Sequence, residues 1–383
     1  MKLLYLTPGC FDKGGISRYS RYQISSLREI LGNGNVQVYS LLGPDGESFE
    51  EPFDVDWYSG GKGFFKKTAF VLRIGVTSFI HRPLIIWSAH VSFSAVIKII
   101  AWLIGAQTVV NEYGIEAWSG LSWDADWGLK KVTHVVTDSH FTARYLENEG
   151  FRPKGSIVVL WDCVDLDKFS PGNPNQKVIA KYGIPDPARG VNILTLGRMG
   201  RGADYKGYSR LLEVFMKVTD EMPELRLIYA GRGELVENLR EKARQLGLEN
   251  RVFFTGMVFE EDLVDIYRSS HIFSLVSERG VGRGEGIPLT PLEAAACGVP
   301  ILVGNQDGSQ EAVVDGVNGF IIDPFDLESH AQAIVMLAKD PFLRERFGYA
   351  ARKKIEDNFS YFTFREKHRP LLQQWMSDKM YHY

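Results

Sequence analysis

The sequence predicts an α/β protein built from two doubly wound domains, and three observations support this. Continuous runs of Val, Ile and Leu alternate with stretches of helical periodicity along nearly the whole chain. Such runs are typical of parallel strands that are covered by helices on both faces. The chain has 383 residues, which is more than one ordinary hydrophobic core holds. A cluster of Pro, Gly and Asn at residues 170–175 interrupts the alternation as an interdomain linker does.

The predicted strands form two series, one on each side of that linker. They are Lys2–Thr7, Val36–Leu42, Leu84–Ser88, Thr108–Val110, His134–Thr137 and Ile157–Leu160, then Asn192–Gly197, Arg226–Ala230, Val252–Thr255, Ile272–Val276, Ile301–Gly304 and Phe320–Ile322. We therefore predict a first domain at residues 1–170 and a second at 171–358. Residues 359–383 form an aromatic-rich helix that we expect to cross back to the first domain. Sites in open α/β sheets lie beyond the carboxyl ends of the strands, so we expect the chemistry in a cleft that both domains face.

Composition excludes several classes of protein. The 44 basic and 47 acidic residues give a formal net charge of −3, which argues against a nucleic-acid partner. The three cysteines lie far apart without a CxxC pair, which argues against a disulfide scaffold or a cysteine zinc site and fits a reducing cytoplasm. We therefore expect a cytoplasmic protein.

The most apolar region, residues 64–110, is too often interrupted by charged residues, Pro and Gly to span a membrane. Lys66 and Lys67 stand among aromatic and aliphatic side chains at its start. This mixture fits a helix that lies at a membrane surface, or a buried helix whose lysines extend to water. Both interpretations stay open at this point.

The most informative motif runs from Ser277 to Pro300. A buried strand is followed by a loop with four glycines, and then by a short helix. Thr290 as N-cap, Pro291 at the first helical position and Glu293 three residues after the cap predict a capping box. Capping accounts for Glu293 by itself, but it does not account for Glu285 in the glycine-rich loop.

The same helix start offers unpaired backbone amides at Leu289 and Thr290, where a phosphate group could bind. Arg198 follows another predicted strand, and Lys206 precedes the next helix. Two cations at a strand exit suit a diphosphate that gains charge as it leaves. Gly14 and Gly15 join the first strand to the first helix and let the backbone approach a ligand. No GxGxxG or GxxxxGK[ST] motif occurs, which disfavours a nicotinamide oxidoreductase or a P-loop enzyme.

Together these residues resemble the retaining glycosyltransferases of family 4, which have the GT-B architecture of two Rossmann-like domains facing a central cleft. The segment Glu285-Gly-Ile-Pro-Leu-Thr-Pro-Leu-Glu293-Ala-Ala-Ala-Cys-Gly-Val-Pro is similar to the family's paired-glutamate hallmark. Gly197-Arg198 with Lys206-Gly207 resembles its Gly-Arg…Lys-Gly element, and Gly14-Gly15 its early turn. The resemblance covers nearly the whole chain and is more specific in the second half.

The resemblance implies the roles of the site residues. Glu285 would face the donor sugar near its anomeric centre, Arg198 and Lys206 would stabilise the departing nucleoside diphosphate, and Glu293 would bind the ribose. The remaining donor-binding positions that it implies are Gly14, Gly15, Tyr113, Met257, Gly286, Ile287, Pro288, Leu289 and Thr290. It implies no bound metal and no cofactor, because the two cations take over the charge role of a divalent ion.

One departure concerns the first domain. Relatives carry a histidine in a His-Gly-x-Glu element, whereas this chain has Tyr113-Gly-Ile-Glu116. Tyr113 can donate a hydrogen bond but does not titrate near neutral pH as histidine does. Either Tyr113 takes the sugar contact or His90, just past a neighbouring strand, reaches it. Glu116 fits the family's acidic position, as a sugar or acceptor contact or as a solvated carboxylate.

The resemblance implies transfer of a hexose from a nucleotide diphosphate sugar to an acceptor hydroxyl with retained anomeric configuration. Family frequency favours UDP-glucose as donor. The cationic, apolar segment suggests a glycan or lipid-linked glycan acceptor at the cytoplasmic membrane face, as in bacterial cell-surface polysaccharide assembly. The alternative is a non-catalytic nucleotide-binding scaffold with the same fold, which the Tyr113 departure keeps open.

Overall fold

The computed structural model describes residues 1–12, 14–45 and 53–380, which form two compact units. The first unit contains Met1–Cys163 and Tyr361–Tyr383, and the second contains Val164–Ser360. Each unit has one parallel sheet with its strands buried between helices. The predicted pair of doubly wound α/β units is therefore confirmed.

The sheet of the first unit has the strand order β3-β2-β1-β4-β5-β6-β7. Its strands are β1 Leu3–Thr7, β2 Val36–Ser40, β3 Trp57–Tyr58, β4 Ile85–Ser88, β5 Gln107–Glu112, β6 His134–Thr137 and β7 Ile157–Val159. Its helices before the second unit are α1 Gly15–Leu31, α2 Phe64–His81, α3 Ser94–Ile104, α4 Ile115–Trp118, α5 Trp123–Lys131 and α6 His140–Asn148. The two-residue strand β3 was not predicted, because it is too short for a periodic signal.

The sheet of the second unit has the strand order β10-β9-β8-β11-β12-β13. Its strands are β8 Val191–Leu196, β9 Leu225–Ala230, β10 Val252–Gly256, β11 Ile272–Leu275, β12 Ile301–Gly304 and β13 Gly319–Ile322. Its helices are α7 Gln176–Lys181, α8 Tyr208–Thr219, α9 Leu235–Gln245, α10 Leu263–Arg268, α11 Leu289–Ala296, α12 Leu327–Lys339 and α13 Pro341–Asn358. Helix α14, Tyr361–Met380, follows and belongs to the first unit.

Helix α14 packs by its aromatic side chains on the first unit. The Trp375 ring lies 5.5 Å from that of Trp87 and 4.4 Å from that of His134, between ring centroids. Phe364 and Leu372 on the same helix are also buried. The 359–383 segment thus has the buried surface that its composition requires, although residues 381–383 lie outside the described part of the chain.

The chain passes into the second unit after Cys163 rather than after residue 170. The Phe169 ring packs against Tyr267, with 5.9 Å between centroids, and Arg268 donates hydrogen bonds to the carbonyl and hydroxyl of Ser170. The polar cluster at residues 170–175 is therefore fastened to the second unit. Its composition signals a turn correctly but does not mark the division between the units.

In each sheet two adjacent strands are connected to neighbours on opposite sides, at β1 and β4 in the first unit and at β8 and β11 in the second. Loops leaving such a pair diverge and leave a crevice at the carboxyl ends, which is the usual ligand position in this class of sheet. Across the described residues, no helix combines the length and apolar character that crossing a membrane requires.

Candidate active site

In the second unit, the loops that leave β8 and β11 bring Lys206 and Glu285 together. Lys206 ends a single 3-10 turn, Asp204–Lys206, that precedes α8, and Glu285 lies 10 residues past the end of β11. The Lys206 Nζ lies 2.8 Å from Glu285 Oε1. The Tyr205 hydroxyl donates to the same carboxylate oxygen at 2.9 Å. Two loops from adjacent strands are thus joined at one carboxylate.

This ion pair is only partly accessible to water, with side-chain exposures of 20% for Lys206 and 15% for Glu285. Burial disfavours the charged ammonium, but the Glu285 carboxylate outweighs that effect and raises the pKa of Lys206 above its ordinary value. Lys206 is therefore fully protonated at neutral pH. Its ammonium group has three N–H donors, so one bond to Glu285 leaves donors for an incoming anion.

Arg198 lies two residues past the end of β8 and is exposed. Within the described ranges its guanidinium enters no ion pair. The loop that carries it is fixed by its backbone, since the Met199 amide donates to the Arg232 carbonyl at 2.9 Å. The backbone at Gly197 also passes close to the backbone at Gly231. Only glycine fits at position 231, because a Cβ there would lie 2.0 Å from the Gly197 carbonyl oxygen. Within the described residues, Arg198 is therefore an exposed cation without an ion-pair partner, and hydrogen bonds hold the backbone next to it in place.

The glycine-rich loop before Glu285 is ordered by a carboxylate. Glu278 is buried and pairs with Arg210 at 3.1 Å and with Arg283 at 2.9 Å. The backbones of Gly280 and Arg283 exchange hydrogen bonds of 3.0 and 3.2 Å, which closes a tight turn. The first half of the predicted glycine-rich loop, from Glu278 to Arg283, is therefore held in place by ion pairs and backbone hydrogen bonds.

Asp307, after strand β12, fixes Glu285 from the other side. Its Oδ2 accepts hydrogen bonds from the Ser277 hydroxyl at 2.6 Å and from the Glu285 amide at 3.2 Å. Its Oδ1 accepts from the amide and hydroxyl of Ser309. Burial raises the pKa of Asp307 to about 7, against the opposing effect of the two serine hydroxyls, and the Glu285 charge adds to the rise. Sequence reasoning missed Asp307, whose only signal is its place just beyond a buried strand.

The predicted capping box at the start of α11 is wrong. The helix begins at Leu289 with Pro288 as N-cap, and no side chain caps it. Thr290 is already the second helical residue. The interpretation failed because Pro288, with extended backbone, precedes the helix as readily as Pro291 enters it. Leu289 and Thr290 remain first-turn residues whose amides have no partner within the helix, so the amide positions expected for an anion are present.

Glu293 faces the interior of the second unit instead of capping its helix. It is buried, and its Oε2 accepts a hydrogen bond from the Tyr267 hydroxyl at 2.6 Å. Met257 directly follows β10 and is 41% exposed. Between Glu285 and α11, Gly286 and Pro288 are half-buried and Ile287 is buried. The second-unit residues of the predicted site thus all follow carboxyl ends of strands in one sheet.

In the first unit, α1 begins at Gly15 with Gly14 as N-cap. The Gly14 amide donates to Asp12 Oδ1 at 2.6 Å, and Asp12 Oδ2 accepts from Ser17. A Cβ on Gly15 would meet nothing within 4 Å, so space is open above it. A carboxylate of the chain itself already lies at this helix start.

Tyr113 follows β5 and is buried in an aromatic cluster. Its ring lies edge-on to Tyr19 with 5.4 Å between centroids, and its hydroxyl accepts a hydrogen bond from Asn111 at 3.1 Å. Only 7% of the residue is exposed. The structure gives Tyr113 a packing role at the position where the resembled family has a histidine.

His90, which follows β4, forms a pair with Glu116. The His90 Nδ1 accepts from the Ser92 amide at 3.1 Å, which places the ring proton on Nε2. That Nε2 lies 3.0 Å from Glu116 Oε1, so the imidazole donates to the carboxylate. The remaining oxygen of Glu116 is buried without a hydrogen-bond partner. His90 and Glu116, which the sequence analysis treats as separate candidates, therefore form one hydrogen-bonded pair.

Glu112 is the last residue of β5, four residues before Glu116, and the sequence analysis did not predict a role for it. It is fully buried, and its Oε1 accepts from the amides of Gly114 and Ala117. Burial, with the neighbouring Glu116 charge, raises the pKa of Glu112 well above its usual range. Burial therefore favours the neutral form of Glu112. Among the residues that the structure describes, no group of three or more His, Cys, Asp or Glu side chains is arranged to hold a metal ion.

The architecture matches solved glycosyltransferase structures. Over 98% of this chain and 100% of the other, it is similar to the Anabaena protein HepE, crystallised in complex with UDP, with a TM-score of 0.79 and 17% identity. Identity at this level speaks for the fold alone. The fold of this chain is therefore the GT-B fold.

Sequence comparison supports glycosyltransferase activity. Residues 192–354 match the model of the family described as glycosyl transferases group 1. The chain is 28% identical over 286 residues to the GDP-mannose-dependent alpha-(1-6)-phosphatidylinositol monomannoside mannosyltransferase of Mycolicibacterium smegmatis, covering 73% of each chain. It is 36% identical over 230 residues to mannosylfructose-phosphate synthase of Agrobacterium fabrum, covering 57% of this chain and 47% of that protein.

Replacing Asp307 should change how stability depends on pH. The folded carboxyl has a pKa of about 7 and the unfolded one about 4, so the folded protein holds an extra proton between these values. The contribution of Asp307 to stability is complete below about pH 4 and is lost as pH rises through about 7. Relative to wild type, Asp307→Asn should gain on the order of 1 to 4 kcal/mol between pH 4 and pH 8. Urea unfolding at a series of pH values across this range measures the free energy of unfolding of each protein.

The control is Asp220→Asn, which alters an exposed carboxylate. A difference in stability between Asp307→Asn and wild type that does not depend on pH contradicts the prediction.

Proposed function

We propose that this chain transfers a hexose from a nucleotide diphosphate sugar to an acceptor hydroxyl with retention of anomeric configuration. The observation that carries the proposal is the Lys206–Glu285 pair, which joins the loops that leave β8 and β11, and Arg198 lies on the first of these loops. A half-buried carboxylate, a protonated ammonium and an exposed guanidinium supply opposite charges within one set of loops. Such a set suits a reaction in which charge separates.

The cations act on the leaving group. When the bond between the anomeric carbon and the diphosphate oxygen breaks, that oxygen gains negative charge. Arg198 presents a planar fork of donors that fits phosphate oxygens, and Lys206 adds donors that its bond to Glu285 leaves available. The amides of Leu289 and Thr290 add the positive end of a helix dipole. These groups take the charge role that a divalent ion has in other transferases, and we propose a metal-independent reaction without a cofactor.

Glu285 acts on the sugar. As the diphosphate departs, positive charge develops at the anomeric carbon and ring oxygen, and a nearby carboxylate stabilises it. In its half-buried position, the Glu285 carboxylate is paired with Lys206 and accepts a hydrogen bond from Tyr205. Asp307 positions the backbone of Glu285 and does not itself contact substrate in this mechanism.

Retention follows if the acceptor enters on the face that the diphosphate leaves. The bond from the anomeric carbon to the acceptor oxygen forms as the bond to the phosphate oxygen breaks, and the hydroxyl proton passes to that phosphate oxygen. Glu285 is engaged by Lys206 and Tyr205, which disfavours its use as a nucleophile in a double displacement. The configuration is then kept without a covalent intermediate.

For the first unit we propose that the His90–Glu116 pair makes the sugar or acceptor contact that a histidine makes in the resembled family. His90 Nε2 and Glu116 offer a donor and an acceptor together, and Glu116 keeps a buried oxygen without a partner. Tyr113 is packed among aromatic rings and contributes less. Glu293 and Met257 are proposed for the ribose and the base of the donor.

Donor identity has two candidates. UDP-glucose follows from its frequency in the resembled family. GDP-mannose is favoured by the name of the mycolicibacterial relative, which matches nearly three quarters of the chain. That relative's name also contains a phosphatidylinositol-linked acceptor, which supports a glycan or lipid-linked glycan as acceptor here. We place the reaction at the cytoplasmic membrane face, in bacterial cell-surface polysaccharide assembly.

The alternative is a non-catalytic scaffold with the same nucleotide site. It predicts donor binding without turnover. A transferase releases some free sugar from its donor even without acceptor, so donor hydrolysis distinguishes the two functions.

Removing either cation should abolish most turnover. We expect Arg198→Ala and Lys206→Ala each to lower kcat by a factor of roughly 100 to 1,000, about 3 kcal/mol, because a transition-state charge loses its partner. Nucleotide release at saturating donor measures this. The matched control is Arg201→Ala, an exposed arginine on the same loop, which should keep wild-type kcat.

Circular dichroism and urea unfolding must show that the variants fold. Lys206→Gln serves as a second variant, because it keeps a hydrogen-bond donor near Glu285 without the charge. Near-wild-type kcat in folded Arg198→Ala or Lys206→Gln would refute the leaving-group role.

Two variants distinguish His90 from Tyr113 as the residue of the first unit that contacts the sugar. His90→Ala removes the partner of Glu116, and we expect kcat/KM to fall at least roughly tenfold, about 1.4 kcal/mol. Tyr113→Phe removes only a hydroxyl and keeps the packing with Tyr19, so we expect a less than threefold change. The reverse pattern would assign the sugar contact to Tyr113.

Thermal-shift measurements should identify the donor. A donor at 100 times its Kd stabilises the folded state by about 2.7 kcal/mol, which raises the melting temperature measurably. We expect a larger shift with UDP-glucose than with GDP-mannose, ADP-glucose or UDP-galactose. A larger shift with GDP-mannose transfers the proposal to the second candidate.

A further inference from the structure

Helix α2 has two opposite stripes, and only one of them packs against the first unit. The packed stripe consists of Phe70, Ile74, Thr77 and Ser78, all of which are buried. On the other side of the helix lies an exposed apolar stripe at helical spacing: Phe65, Ala69, Leu72, Val76, Phe79 and Ile80. A surface helix ordinarily shows its polar side to water, so this arrangement is reversed.

Helix α3 contacts α2 and also has an exposed apolar face. Ile99, Trp102 and Leu103 are exposed at helical spacing on this face, and Trp102 is 76% exposed. Val96 on the same face is half-buried. We call the exposed apolar residues of α2 and α3 the apolar platform. Exposed apolar side chains in this number on neighbouring helices ordinarily mark a binding surface.

Charge identifies what the platform binds. From Trp57 to Asn111 the chain has no Asp or Glu, while it has six cations: Lys62, Lys66, Lys67, Arg73, Arg82 and Lys98. None of the six joins an ion pair within the part of the chain that the structure describes. Helix α5, which contacts α3, carries Asp124 and Asp126, and Asp126 is paired with Lys130 at 2.8 Å. The platform is therefore cationic at its borders.

Two of these cations are poorly placed for the helix itself. Lys66 and Lys67 lie in the first turn of α2, which contains no acidic residue. The N-terminal end of a helix carries partial positive charge, so cations there reduce helix stability. Their presence is understandable if they meet an external anion.

We propose that the apolar platform and its cations dock the first unit on an anionic lipid membrane. Leu72, Phe79 and Trp102 would enter the boundary between headgroups and acyl chains, while Lys66 and Lys67 would contact anionic headgroups. A second copy of this chain fits less well, because a symmetric contact would bring the same six cations face to face. The inference adds a lipid surface to the proposed function, and the binding that it describes does not require transferase activity.

Co-sedimentation with vesicles tests the proposal. The full chain should pellet with vesicles of phosphatidylcholine that contain 30 mol% phosphatidylglycerol, and far less with phosphatidylcholine alone. Each lysine near an anionic surface contributes about a fivefold factor, so Lys66→Gln/Lys67→Gln should lower the partition coefficient roughly 30-fold. Leu72→Gln/Phe79→Gln should lower it at least roughly tenfold by removing apolar burial.

Matched controls change equal charge or apolarity elsewhere. Lys131→Gln/Lys154→Gln neutralises two exposed lysines of the first unit, and Phe342→Gln removes a phenylalanine that is 83% exposed on α13. Both should bind vesicles as wild type does. Donor hydrolysis should be unchanged in the platform variants, so loss of membrane binding is distinguishable from failure of the transferase proposal.

Three results would overturn the inference. Wild type could fail to distinguish anionic from neutral vesicles, or the platform variants could bind as wild type does. Light scattering could instead show a wild-type dimer that Leu72→Gln/Phe79→Gln disperses, which would assign the platform to self-association.

Discussion

The ion pair between Lys206 and Glu285 is the interaction on which the candidate active site depends. Each charge alone would be unfavourable at this depth, because a half-buried group loses hydration that only a partner replaces. The pair also joins loops from β8 and β11, so its geometry reports the register of two strands in the middle of the sheet. Tyr205 and Asp307 hold the carboxylate side from two directions. The proposed catalytic carboxylate is thereby fixed before any ligand binds, and its position costs no reorganisation later.

Parallel sheets explain why so many candidate residues share one edge. All strands of a parallel sheet end on the same side, and the loops that diverge at β8 and β11 leave room there. Arg198, Lys206 and Glu285 come from positions almost 90 residues apart in the chain, yet each follows or borders one of these strand ends. The first unit repeats the arrangement, since Gly15, His90 and Glu116 follow β1, β4 and β5. The sheet topology therefore limits where chemistry can be placed before any particular residue is chosen.

Most of the fold was predictable from sequence, because buried parallel strands have continuous apolar runs, and every run that we assigned to a strand overlaps an observed strand. The site was predictable where residues are close in sequence, as in the segment from Glu285 to Glu293. The site was not predictable where the contacting residues lie far apart in the sequence. Asp307 lies 22 residues from Glu285, and Tyr267 lies 26 residues from Glu293. The helix start at Leu289 was missed for a different reason, since two prolines three residues apart each fit a helix entrance.

Helix α2 shows how composition alone leaves an ambiguity that packing resolves. A buried helix with extended lysines and an interfacial helix have the same residue types, and the sequence supported both. The structure contradicts the buried interpretation for seven apolar side chains of this helix, from Phe64 to Ile80, which are exposed. The stripe that does pack includes Thr77 and Ser78 and is the more polar of the two. Burial within the described part of the chain therefore does not account for the apolar stripe, because its side chains are exposed there. The absence of Asp and Glu from residues 57–111 and the two lysines in the first turn of α2 are the other features of this surface. The proposed anionic lipid interface accounts for both features and for the apolar stripe.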